Sequence, residues 1–305
     1  MFVVNLRRII IAGLLLCSAG VALAADKMKP FVLAAKASGD VATVVADVKS
    51  KLTAAGFELA GEYSPYESAT ILIVTSDALK SAAAQSEFGG YAAGQRVSIT
   101  KVGDEIQVAY TNPVYMANAY RMKASLQGTA EKLKTALGAM QQYGPAEGMK
   151  PDDIREYHYM FGMEYFDEPS VLARYSSYEV AIDKVENSLA AKKGGVSKVY
   201  RIDVPGKKES VFGVHLTKGC SGDKYIMSRI DFKPIRSTAH LPYEMLVSGK
   251  SVYALYARFR IAINFPDLKM MGDNSFFKIM CAPDAIEQAL TLASGQKKSS
   301  EDDDF

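Results

Sequence analysis

The sequence predicts an α/β chain of the two-layer α+β kind. It reads as two tandem related small domains, each a mixed or antiparallel sheet packed against helices. Three observations carry this. The order strand, helix, two strands, hairpin, helix occurs twice along the chain. The two passes share punctuation: Ser64-Pro65 and Pro205-Gly206 each separate a pair of strands, and Asn112-Pro113 and Asn264-Phe265-Pro266 follow the hairpins. Between the passes lies a stretch rich in Gly, Pro and charge, YGPAEGMKPDD, which reads as a linker. The expected layout is residues 25–143, a linker at 144–154, a second domain at 155–294 and a disordered charged tail at 295–305.

In the first pass, FVLAA (31–35) reads as a strand, and Asp40 caps a helix from Val41 to about Ala55. Val41, Val44, Val45, Val48 and Leu52 fall on one face of that helix, and Gly56 ends it. Strands follow over 57–63 and 69–75, then a short Ala-rich helix near Asp77. A hairpin turns at Gly103-Asp104, and helices run from about Val114 and over 129–140. The second pass opens with a strand at 170–175 and a capping box formed by Ser176 and Glu179. Its helix carries Tyr178, Ala181, Ile182, Val185 and Leu189 on one stripe. Strands over 198–204 and 211–216, a hairpin at Ser248-Gly249, a strand at 276–280 and a helix over 284–293 complete it. A long insertion, about 219–241, sets the second half apart.

The start of the chain predicts the address. Arg7 and Arg8 precede the apolar run IIIAGLLL, and Ala22-Leu23-Ala24 supplies the small-x-small step. Residues 1–24 are therefore expected to be a cleaved signal peptide and the mature protein to be periplasmic. The apolar run is shorter than the ~20 residues that span a bilayer, so no membrane insertion is expected after cleavage. Of 36 basic and 34 acidic residues, the signal takes two arginines and no acid, leaving a near-neutral chain. No basic cluster points to nucleic acid. Cys220 and Cys281 remain after cleavage, and in an oxidising compartment the pair reads first as a disulfide.

Residues 94–122, GQRVSITKVGDEIQVAYTNPVYMANAYRM, hold a hairpin that enters an Asn112-Pro113-Val114-Tyr115-Met116 turn and a helix. Over residues 30–122 this resembles the bacterial domain-of-unknown-function family 302. The likeness is weaker in the second half, where Phe265 and Pro266 follow Asn264 and no Met stands at the equivalent step. The resemblance implies a small two-layer α/β domain and carries no activity.

Candidate chemistry is sparse. G-x-S-x-G, H-E-x-x-H and C-x-x-C are absent, and Phe88-Gly89-Gly90 lacks a phosphate-loop lysine. The reading leans away from an enzyme, and no cofactor is implied. The best surface for a ligand is the junction at Asn112, Tyr115 and Arg121: an amide, a flat phenol and a fixed charge at a strand-to-helix step. The same residues also read as packing, with Asn112 as a helix cap. His158, Met160 and Met163 in HYMFGM offer an imidazole and two thioethers, a ligand set that suits Cu(I). Filling of an aromatic-rich strand accounts for the same methionines. His215, in VFGVHLT, reads as a structural histidine. The expected role is binding of a small molecule or an envelope protein without turnover. The alternative is redox or copper handling through Cys220 or the His158 cluster.

Overall fold

A computed structural model of the protein describes residues 27–296. The signal segment at 1–24, its cleavage point at Ala25 and residues 297–305 of the charged tail lie outside the described residues.

The first half runs β1 (Phe31–Ala37), α1 (Val41–Ala54), β2 (Glu58–Tyr66), β3 (Ala69–Thr75), α2 (Asp77–Ala84), β4 (Gln95–Val102), β5 (Glu105–Thr111), α3 (Pro113–Ala119), α4 (Gln127–Leu137) and β6 (Gln141–Tyr143). A short helix, α5 (Pro151–Arg155), lies in the connection. The second half runs β7 (Ser170–Arg174), α6 (Tyr178–Ala190), β8 (Val196–Asp203), β9 (Glu209–Leu216), α7 (Asp223–Ile230), β10 (Tyr243–Ser248), β11 (Ser251–Ala254), α8 (Ala257–Ala262) and α9 (Ala282–Ala293). The sheets are ordered β2-β3-β4-β5-β1-β6 and β8-β9-β10-β11-β7. All pairings are antiparallel. Taken in chain order, the five strands of the second half occupy the same places as the first five of the first.

Local signals explain most boundaries. The Asp40 carboxylate accepts from the Thr43 amide at 2.8 Å and starts α1, whose Val45, Val48 and Leu52 are buried. Asn112 starts α3 with Pro113 at its first position. The expected capping box is displaced by one residue. Ser177, not Ser176, accepts from the Val180 amide and starts α6.

Three other expectations are corrected. Ser64-Pro65 does not separate a pair of strands; β2 continues through it, and the pairing with β3 slips between Tyr63 and Tyr66. Proline has no amide to donate, so it sits at such an irregularity. The expected strand at 276–280 is a single 3-10 turn, Phe276–Ile279. The HYMFGM segment is loop rather than strand. The insertion contains a helix, α7, and then wraps back over the first half.

That wrapping joins the halves. One apolar cluster runs through both, from Val45 and Ile71 to Val211 and Leu290. A second, small one sets Phe31, Leu33, Ala109 and Tyr143 of the first half against Ala239 of the insertion.

Candidate functional site

The strands β4 and β5 alternate polar and apolar residues. Arg96, Ser98 and Thr100 lie on one face of β4 and Val97 and Ile99 on the other. In an isolated antiparallel sheet the polar face would meet water. Here Arg96, Ser98 and Thr100 are buried as well as Val97 and Ile99, because residues 231–242 of the second half cover the polar face. Gln107 donates to the Pro234 carbonyl at 2.8 Å and accepts from the Arg236 amide at 2.9 Å. Thr100 and Thr238 meet through their hydroxyls at 2.9 Å, and Tyr66 reaches Thr238 at 3.2 Å. Tyr143 donates to the Arg236 carbonyl at 2.7 Å. Beside this, β2 and β8 approach so closely at Gly61 that a Cβ there would stand 2.6 Å from the Val199 carbonyl oxygen.

Deep in the seam lies a buried charged network. Arg96 donates to the His240 carbonyl at 3.1 Å and to the Tyr120 hydroxyl at 3.2 Å. Glu244 lies 3.7 Å from Arg96 and 3.8 Å from Arg260, and accepts from Tyr200 at 2.7 Å. Arg260 donates to His240 Nδ1 at 3.0 Å, so that nitrogen carries no proton. Burial, and after it the charge of Arg96, pushes the His240 imidazole down to about 3, which keeps it neutral. Burial pushes the Glu244 carboxyl up, while Arg96 and the Tyr200 hydroxyl act against that push. Nearby, Asp223 is fully enclosed, accepts from the Tyr63 hydroxyl at 3.3 Å and lies 4.0 Å from His215. Burial raises Asp223 well above the carboxylate range and lowers His215, so both are driven towards their neutral forms. These groups hold the halves together.

Where the seam reaches the surface it opens into a cleft of about 610 Å³. Tyr66, Thr100 and Lys101 of the first half form one wall; Lys224, Met227, Asp231, Phe232 and Arg236 of the second form the other. Phe232 is 48% exposed, leaving an apolar rim. Lys101, Lys224 and Arg236 have no side-chain ion pair among the described residues. Asp231 ends α7. One carboxylate oxygen accepts from the Ser237 amide at 2.8 Å, while the other is enclosed without a hydrogen-bond partner. Burial raises its pKa to about 7, against the pull of the Ser237 amide, Arg236, Thr238 and Lys233.

The junction expected from sequence is assembled differently. Asn112 caps α3 and donates to the Lys29 carbonyl at 2.9 Å; it also borders an open groove of about 450 Å³. Tyr115 is fully buried and donates to the Ile263 carbonyl at 2.8 Å, a tie between the halves. Arg121 has a left-handed backbone (φ 46°), which turns it away to Asp167 at 2.5 Å and the Arg155 carbonyl at 2.8 Å. The three therefore do not converge on one ligand.

His158 packs against Tyr165 with the rings tilted, centroids 4.6 Å apart, and Met160 is exposed and Met163 half-buried in the same loop. No group of three His, Cys, Asp or Glu is placed to hold a metal among the described residues. Cys220 and Cys281 are bonded, Cα atoms 5.8 Å apart, linking the turn after β9 to the start of α9. Cys220 in this state is no free nucleophile. No helix among the described residues is long and apolar enough to cross a membrane.

Sequence reasoning missed the cleft because one wall lies in the insertion and meets the β2 and β4 residues of the other only through docking. The alternation in QRVSIT was the one available sign that a polar face needed a cover. No family model matches the chain, and no curated protein or solved structure does either.

Proposed function

We propose that the protein is an exported binding module that holds a small molecule in the cleft between its halves, without turnover. The observation that carries this is the cleft itself: a concave site whose walls come from both halves, with polar groups around an apolar rim. The signal-like start and the bonded cysteine pair support a periplasmic address. The shared strand order supports an origin by duplication of one α/β unit, in keeping with the resemblance to domain-of-unknown-function family 302. The test is a thermal-shift screen of small metabolites on the mature protein and on Ser228→Trp, which fills the cleft from an exposed position of α7. Compounds that raise the Tm of the parent and not of the variant support the reading. Equal shifts in both, or no hits, overturn it.

A second reading keeps the copper expectation, on one observation. The Tyr159 hydroxyl contacts the Met270 sulfur, which sets Met270-Met271 beside the loop carrying His158, Met160 and Met163. Soft thioethers on two adjacent loops suit Cu(I). Competition with a chromogenic Cu(I) chelator decides it: retention of one ion per chain, lost in Met160→Leu/Met163→Leu, supports the site. Failure to compete dismisses it.

A further inference from the structure

Among the described residues the cleft carries an excess of positive charge, since Lys101, Lys224 and Arg236 make no side-chain ion pair there. Lys101 comes from the end of β4, Lys224 from the first turn of α7 and Arg236 from the segment that covers the sheet. These three independent elements bring cations to one concavity. Close by, the protein does pair its charges: Lys36 meets Glu105 at 2.8 Å, and Lys233 meets Asp267 at 2.5 Å. Among the described residues that line the cleft, the acids facing the three cations are Glu67, exposed on the rim, and Asp231. A concave wall of one sign concentrates ions of the other, and a guanidinium is suited to carboxylate or phosphate oxygens. Met227 lies buried on the same wall and Phe232 stands at its rim, so an apolar body also finds contact.

Building on the cleft as a binding site, we propose that its occupant is a small organic anion with an apolar or aromatic body. Lys101, Lys224 and Arg236 surround the charge, and Met227 and Phe232 line the rest. Asp231 adds a dependence on protons. Its carboxyl forms part of the wall and titrates near neutrality because it is enclosed. The charged and titratable groups facing it are Arg236 and Lys233 on its own segment, Tyr66 from β2, and Glu67, Lys101 and Lys224 around the cleft. An anion brought beside Asp231 favours its neutral form, so binding takes up a proton and weakens as pH rises through about 7.

The experiment uses three probes with one body: 2-naphthoate, the neutral 2-naphthalenemethanol and the cationic 2-naphthylmethylammonium. Titration calorimetry is run at pH 6 and pH 8 on the mature protein, Lys224→Ala, Ser228→Trp and Asp231→Asn, each first checked for an unchanged circular dichroism spectrum. The expected result is naphthoate binding at least about tenfold tighter than the alcohol, a ~10-fold loss of naphthoate affinity in Lys224→Ala, and no naphthoate binding to Ser228→Trp. Naphthoate affinity should fall about tenfold from pH 6 to pH 8 in the parent and stay flat in Asp231→Asn. Preference for the alcohol or the ammonium, with binding still abolished by Ser228→Trp, overturns the anion while leaving the cleft reading intact. Binding of any probe that Ser228→Trp leaves unchanged, or binding of none, removes the cleft reading as well.

Discussion

Arg96 of the first half and Glu244 of the second lie 3.7 Å apart, both buried, in the seam between the two sheets. Arg260 lies 3.8 Å from the same carboxylate oxygen. Water is excluded from this pair, so losing Arg96 leaves the buried Glu244 carboxylate with Arg260 and the Tyr200 hydroxyl alone to balance it.

Arg96→Met is therefore expected to destabilise the protein by about 3–5 kcal/mol. The double variant Arg96→Met/Glu244→Leu should lose less than the sum of the single changes, because the Arg96 charge that Glu244→Leu alone would strand is removed and Arg260 is the cation left without its carboxylate. Urea unfolding checks this. Additive losses would show that the two groups are not coupled across the seam.

Tyr200 reaches Glu244 only because β9 carries glycine at 213. A Cβ at Gly213 would lie 1.8 Å from the Tyr200 ring. Gly213→Ala must push the ring aside and break the 2.7 Å hydrogen bond to Glu244. Tyr200→Phe removes the same bond without moving the ring and is expected to cost about 1–3 kcal/mol. Gly213→Ala should cost more than Tyr200→Phe, and equal costs would mean that the ring is free to move.

The Cys220–Cys281 bond spans 61 residues. In the chain-entropy account, closing a loop of that length stabilises by about 4 kcal/mol. Cys220→Ser/Cys281→Ser should lose about that amount, and denatured mature protein should titrate with no free thiol. Two free thiols would contradict the bond.

Asp231 makes stability depend on pH. Its pKa rises from 3.8 to about 7 on folding, so the folded state binds the proton more tightly. The stabilisation from that proton is complete below about 4 and is lost as pH rises through about 7. Asp231→Asn should gain relative to the parent at pH 8 by up to about 4 kcal/mol, at about 1.4 kcal/mol per unit, and differ little at pH 4. Denaturation curves at the two pH values check it. A gain at pH 4 that vanishes at pH 8 would reverse the sign.

Much of the fold was legible because it is written in local chemistry. Asp40, Asn112-Pro113 and Gly103-Asp104 act on their immediate neighbours, and the structure places α1, α3 and the β4–β5 turn where they say. The Cys220–Cys281 pairing followed from there being two cysteines in an expected oxidising compartment. The candidate site was less legible. Tyr115 and Arg121 carry suitable groups, yet their partners, the Ile263 carbonyl and Asp167, are far along the chain. Asp231 and Arg236 gain meaning only beside Tyr66, Thr100 and Lys101, a proximity created by docking of the insertion. Backbone spacing reports on neither.

Hydrogen exchange of the mature protein with and without 2-naphthoate tests the central claim most directly. An occupied cleft predicts slower exchange on both lips together: residues 66–68 and 100–103 of the first half and 224–236 of the second. Protection confined to one half, or to the loops at 158–163 and 268–281, would contradict a ligand site formed between the halves.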